Sequence, residues 1–192
     1  MLAFQDPALA KLDEIEPWVK PGEKLVIIGE LPKLPLTWSI HSKLDCLQMV
    51  GPTKSLPVKN PDLITPMTME DRNEMLGLIN LVQPGFYYSD TPLLGDYFGV
   101  LKSGRLVAMA GERLSMSEFT EISAVCTHPL FRGQGFAADL ITHIVNKNLD
   151  DQIIPFLHVV SSNSTAIKIY EYLGFRVRRG ISFWELVFTG RQ

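Results

Sequence analysis

The feature that most constrains this chain is the order of elements across residues 118–175. "EFTEISAVCTHP" reads as a β-strand halted by Pro129. "LFRGQG" follows as a loop. A helix comes next, with Phe136, Leu140, Ile141, Ile144 and Val145 on its apolar face, ending near Asn148. "IIPFLHVV" reads as a buried strand. "SSNSTAIKIYEYLGF" reads as a helix with Ala166, Ile169, Tyr170 and Leu173 along one side and Gly174 as the C′ residue. Upstream, "TMEDRNEMLGLINLV" predicts a helix capped by Thr68, with Met75, Leu78, Ile79 and Val82 at helical spacing. "DYFGVLKSGRLVAMAGERLSM" predicts a hairpin turning at Lys102-Ser103-Gly104-Arg105, and "FRVRRGISFWELVF" a second one. The sum is an α/β (α+β) domain with a mixed sheet.

The clearest seam is "GPTKSLPVKNPDLITP", residues 51–66, whose four prolines fit neither a regular helix nor a central strand. Before it, "PALAKLDEIEPWV" suggests a short helix, and "KLVIIGE" and "TWSIHSKLDCLQMV" two strands. A piece this short is marginal as an independent core. We therefore expect residues 1–60 to form a small α/β extension packed on a main domain of residues 61–192.

Charge and composition exclude several classes. A net charge of −3 and a pI near 5.8 give no general reason to expect nucleic acid as a partner. The short run Arg176, Arg178 and Arg179 fits a solvated strand edge. Cys46 and Cys126 stand far apart, in neither a disulfide framework nor a metal-ligand spacing, so no metal is expected. The N-terminus lacks a basic segment followed by an apolar core, and no apolar run is long enough to cross a bilayer. The expectation is a cytoplasmic protein with no membrane partner, and a homodimer is compatible with such a chain.

Arg132-Gly133-Gln134-Gly135-Phe136-Ala137 lies directly between a strand and a helix. Helix N-termini carry unpaired N–H groups and a positive dipole end, which favour phosphate. Glycines let those groups come close, and Arg132 adds a charge-assisted contact. The same letters read as G-x-G-x-x-A over Gly133, Gly135 and Ala138, a dinucleotide pattern. That pattern needs an acid at the end of the next strand, where this chain reads "HVVSSN". A plain tight turn is the third reading of the loop taken alone.

The segment also reads R-x-x-G-x-A over Arg132, Gly135 and Ala137. One helix and one strand later comes N-x-x-A-x-x-x-Y-x-x-L-G-F, over Asn163, Ala166, Tyr170, Leu173, Gly174 and Phe175. This pair of segments resembles the two signatures of the GNAT superfamily of acyl-CoA-dependent N-acyltransferases, and most of all its glycine N-acyltransferase-like branch. The resemblance covers roughly residues 63–188. It implies a twisted, mostly antiparallel sheet flanked by helices, with two strands splayed at the acyl-CoA site. It implies that acetyl-CoA lays its pyrophosphate on Arg132, Gly133, Gln134, Gly135, Phe136 and Ala137. The pantetheine arm then pairs with the backbone of Val125, Cys126 and Thr127, as an extended amide chain can at an open sheet edge. Asn163, Ala166 and Tyr170 complete the cofactor contacts, although Asn163 is also a good N-cap.

The reaction so implied is direct attack of a primary amine on the thioester, in a ternary complex of protein, acetyl-CoA and acceptor. Deprotonating a lysine-like amine at pH 7 costs about 4.6 kcal/mol, and an α-amine only about 1.4. Glu121 is the candidate base, since alternation puts it on one strand face with Ser123, Val125 and Thr127. His158, in "FLHVV", is the second candidate. Tyr170 matches the family's general acid for the departing thiolate, and backbone N–H groups near Val125 or Cys126 would hold the oxyanion. Cys126 reads as a small core residue rather than a nucleophile. The acceptor pocket is expected over residues 81–97, with Phe86, Tyr87 and Tyr88 as walls and a small molecule such as an amino acid as acceptor. The alternative is a coenzyme A-binding sensor or interaction module without turnover.

Overall fold

The computed structural model describes residues 1–85 and 87–190. Chain contacts divide it into two compact units. One holds Met1–Gln48, Val159–Asn163 and Arg178–Gln192, and the other holds Met49–His158 and Ser164–Val177.

In the first unit, β1 (Lys24–Ile28) pairs antiparallel with β8 (Arg176–Phe188), from Lys24↔Val187 to Ile28↔Phe183, and β2 (Trp38–Val50) lies on the other side of β8. Its core is Leu12, Ile27, Trp38, Leu186 and Phe188. The expected N-terminal helix is instead two 3₁₀ segments, Pro7–Leu9 and Leu12–Trp18. Pro17 sits inside the second, where it has no N–H to donate, so the tighter, shorter helix is what survives. The expected second C-terminal hairpin is a correction too: β8 runs unbroken for 13 residues. Gly180 takes no left-handed conformation there, so "RRGIS" forms no turn.

The second unit carries the strand order β7-β6-β5-β4-β3. These are β3 (Ile64–Met67), β4 (Tyr97–Lys102), β5 (Arg105–Ser115), β6 (Phe119–Thr127) and β7 (Ile154–Val160). All pair antiparallel except β6 with β7. The β4–β5 turn forms as expected, with Ser103 at φ 51° and Gly104 at φ 74°, the two positive values that a tight two-residue hairpin turn needs. Pro66 is accommodated because β3 is an edge strand. Helix α1 (Arg72–Val82) follows a short turn in which Thr68 and Asp71 form a reciprocal capping box. Helix α2 (Phe136–Asp150) buries Phe136, Leu140, Ile141, Ile144 and Val145. Helix α3 (Ser164–Tyr172) ends at Gly174, φ +85°.

The two long helices cover opposite faces of the sheet. Gly111 and Glu112 are consecutive on β5 and point opposite ways. Glu112 receives Lys147 of α2 at 3.2 Å. Gly111 lies under Tyr97, which belongs to the cluster that α1 builds with Met75, Leu78 and Ile79. The proline-rich segment is strapped to α2: Asp139 accepts from Lys59 N–H (3.0 Å) and Asn60 Nδ2 (2.8 Å), and Asn146 bonds both ways with Leu56. The architecture is a mixed α/β fold with a mostly antiparallel sheet flanked by helices.

Candidate active site

The site is built where β6 leaves its parallel partner. The β6–β7 ladder runs from Phe119↔Ile154 to Ile122↔Leu157 and goes no further. Beyond Ile122, β6 continues paired with β5 on its other side, through Gly111↔Ser123, Met109↔Cys126 and Ala108↔Thr127. Ser123–Thr127 therefore run past the end of the parallel ladder, as the resemblance implied for a splayed pair.

A bulge lies in this stretch. Between Ser123 and Cys126, β6 has two residues where β5 has one, and Ala124 takes φ +52°. An alanine in that region is strained by about 1–2 kcal/mol, a cost that surrounding structure has to hold in place. The inserted residue corrects the expected alternation. Glu121 and Ser123 share their face with Ala124 and Cys126, both packed in the α1 cluster, while Val125 and Thr127 turn to the other side.

Glu121 is only 1% exposed and is held at three points. Arg113 donates from Nε (3.0 Å) and Nη2 (2.6 Å), and His158 Nδ1 lies 2.8 Å from Oε1. Burial pushes the carboxyl pKa up, but the hydrogen bonds and charge of His158 and Arg113 outweigh it, and the net value is lowered. Glu121 is thus an ionised carboxylate at neutral pH and orients both neighbours. Arg113 carries no signal in the sequence; it joins the site because two strand positions, eight residues apart, meet across a hairpin.

The glycine loop adopts a cradle. Pro129–Phe131 makes a 3₁₀ turn begun by His128, whose Nδ1 accepts from Leu130 N–H at 3.2 Å. Arg132 is extended, and Gly133 and Gly135 take φ 78° and 84°. A Cβ at either glycine would meet no atom within 4 Å, so they are needed for conformation and leave open space at the N-terminus of α2. Lys102, which sequence reasoning missed, brings its ammonium 5.4 Å from the centre of the Phe136 ring, adding a cation at the first residue of that helix.

Tyr170 is buried on α3 against Phe175 at 6.0 Å, and burial raises its phenol to about 12. Ala166 lies one turn earlier on the same helix. Asn163 belongs to the first unit, where its N–H bonds Val160 O at 2.8 Å. Cys126 is 3% exposed and its thiol is raised to about 12 by burial, which keeps it protonated and unreactive. Of the expected acceptor walls, Tyr87 is buried in the α1 cluster, Tyr88 is 67% exposed, and Phe86 lies outside the described residues. A separate groove of about 280 Å³ runs between α1 and β5, bounded by Glu74, Gly77, Leu81, Arg105 and His128; neither Glu121 nor Tyr170 lines it. No group of three or more metal-ligating side chains occurs among the described residues, and no helix there is long and apolar enough to cross a membrane.

Residues 97–184 match the family of FR47-like proteins. A protein of the GNAT family from Novosphingobium aromaticivorans is 32% identical and superimposes with a TM-score of 0.81, over 89% of this chain and 77% of that one. Two more distant structures share the fold. A GCN5-related N-acetyltransferase from Kribbella flavida is 19% identical (TM-score 0.56, 88% of this chain, 68% of that one). The ribosomal-protein-S18-alanine N-acetyltransferase of Escherichia coli is 17% identical (TM-score 0.53, 67% and 95%). No match was found among curated proteins. With its sheet, its parted strands and its glycine cradle in place, the chain is a member of the GNAT acetyltransferase family.

Proposed function

We infer that this protein transfers an acetyl group from acetyl-CoA to a primary amine, by direct attack of the amine within a ternary complex. The observation that carries this reading is the end of the β6–β7 ladder at Ile122↔Leu157, in the same unit as a glycine cradle at a helix N-terminus. A free strand edge suits the amides of pantetheine, and the cradle suits its pyrophosphate.

In this reading the backbone of Val125, Cys126 and Thr127 pairs with the pantetheine arm. Arg132 and the amides of Gly133–Ala137 take the pyrophosphate, assisted by Lys102. Ala166 contacts the arm from the start of the last helix. The oxyanion that forms on the thioester carbonyl is held by backbone N–H groups near Val125 or Cys126, beside the bulge. Tyr170 donates its proton to the departing thiolate. The phenol is buried and still protonated well above neutral pH, so it reaches that step with its proton in place.

Glu121 serves the amine as base through others rather than by direct contact. Its lowered pKa makes it a weak proton acceptor at pH 7, but it fixes the His158 ring by a hydrogen bond, and its negative charge favours a water that takes a proton from the amine. Such a modest device suits an α-amine better than a lysine-like amine. Together with the glycine N-acyltransferase likeness, this points to a small acceptor such as an amino acid, in a cytoplasmic setting. Calorimetry with acetyl-CoA, followed by thiol release across α-amines and alkylamines, tests the reading. Binding without release from any amine would leave only a coenzyme A sensor.

A further inference from the structure

Two phenols in the second unit are buried without a hydrogen-bond partner. Tyr97 is 3% exposed and Tyr87 is 7% exposed, and neither hydroxyl is paired among the described residues. Leaving a buried hydroxyl unpaired costs about 1–3 kcal/mol each, so two together need an explanation. They are not scattered. The rings meet edge to face with centres 5.9 Å apart, in the cluster that also holds Cys126 and Ala124. Tyr97 pairs with Gly111 on β5, where any Cβ would collide with its ring, so the strand keeps a glycine under this phenol. The charges that act on the Tyr97 phenol are those of Arg113, Glu121 and Glu112. Tyr87 is influenced by Tyr97 and by the Cys126 thiol. The pair thus packs against Ala124 and Cys126 of β6, the strand on which the thioester is proposed to lie, and within electrostatic reach of Arg113 and Glu121.

We propose that Tyr87 and Tyr97 are the acceptor-recognition subsite, each donating its O–H to an oxygen carried by the amine substrate. Burial raises both phenols far above neutrality, so they stay proton donors throughout the working pH range. The cation nearest them, Arg113, is already matched by Glu121. The substrate group they suit is therefore a hydrogen-bond-accepting oxygen close to the amine, either the carboxylate of an amino acid or the carbonyl of its amide. A plain alkylamine leaves both hydroxyls unpaired and is rejected, because such sites discriminate strongly against substrates lacking the polar group. This subsite rests on the acetyltransferase reading above.

The test is thiol release from acetyl-CoA with three matched acceptors, glycine, glycinamide and ethylamine, in the wild type and in Tyr87→Phe and Tyr97→Phe. Each substitution removes one oxygen and keeps the ring. Since the hydroxyls are unpartnered in the free protein, both variants should melt at or above the wild-type temperature. Preference for an oxygen-bearing acceptor over ethylamine, as a ratio of kcat/KM, should fall roughly threefold to tenfold in each, through the KM of that acceptor, with the KM of acetyl-CoA unmoved. Whether glycine or glycinamide loses more identifies carboxylate or carbonyl as the source of the oxygen. An unchanged preference, or a melting temperature lowered by several degrees, overturns the subsite alone. Wild-type protein that binds acetyl-CoA yet releases no thiol with any amine overturns the acetyltransferase reading and this subsite with it.

Discussion

Arg113 and Glu121 meet across β5 and β6 as a two-point ion pair, Nε to Oε2 at 3.0 Å and Nη2 to Oε1 at 2.6 Å, with the carboxylate almost wholly out of solvent. A buried pair of this kind is costly to break and cheap to replace. Arg113→Leu should destabilise the protein by about 3–5 kcal/mol, because it strands a buried charge. Adding Glu121→Leu to it should recover most of that loss. Urea unfolding of the single and double variants measures both.

The same pair gives stability a pH dependence of fixed sign. Glu121 has a lowered pKa in the folded protein, so its contribution is full above the ordinary carboxyl value of about 4.3 and fades as pH falls through the lower folded value. The stability gap between wild type and Glu121→Gln should be widest near pH 7 and narrow below about pH 4. Urea midpoints taken from pH 7 down to pH 3 should show the two curves approaching each other; parallel curves would contradict the pairing.

Tyr170→Phe should lower kcat by about a hundredfold or more while leaving the KM for acetyl-CoA nearly unchanged, as loss of a general acid does. With the phenol raised to about 12, wild-type activity should show no fall on the alkaline side below about pH 10. Steady-state kinetics over pH 6–10 checks both statements.

Gly135→Ala should weaken acetyl-CoA binding and destabilise the fold by about 1–2 kcal/mol, the cost of a left-handed residue carrying a Cβ. Nothing stands within 4 Å of that Cβ, so the effect is conformational rather than steric. Gly77→Ala is the control, since Gly77 lies inside α1 with equally open space; it should stabilise by about 0.5–1 kcal/mol. Calorimetry and thermal melts separate the two.

Cys126 should resist alkylation in the folded protein at pH 8, because its thiol is buried and raised to about 12. Mass spectrometry after iodoacetamide should find it unmodified until denaturant is added. Rapid labelling in the native protein would show that the α1 cluster opens.

Much of this architecture is legible in the chain because it is written in local rules. Thr68 and Asp71 cap a helix with side chains three residues apart. Lys102–Arg105 turn because glycine accepts positive φ, and Gly133 and Gly135 do the same before α2. The helix faces of α2 follow from spacing alone. Expectation and structure part where a distant strand or a single proline decides. "RRGIS" looks like a turn in isolation, yet β8, with a neighbouring strand on each side, runs through it as one strand. "PALAKLDEIEPW" has helical spacing, but Pro17 limits it to short turns.

The sequence by itself determined the element order from α1 to α3, the glycine loop before α2 and the family, since each depends on residues close along the chain. Tertiary structure alone decided the chemistry of the site. Alanine has no preference for φ +52°, so nothing local announces the bulge at Ala124, and that one inserted residue exchanges the faces of Val125 and Cys126. Arg113, Glu121 and His158 come from three different strands, and Tyr87 and Tyr97 from a loop and a fourth. Their charges and hydroxyls act on one another only because the folded sheet removes water from between them, which strengthens each paired group and raises the cost of each unpaired one.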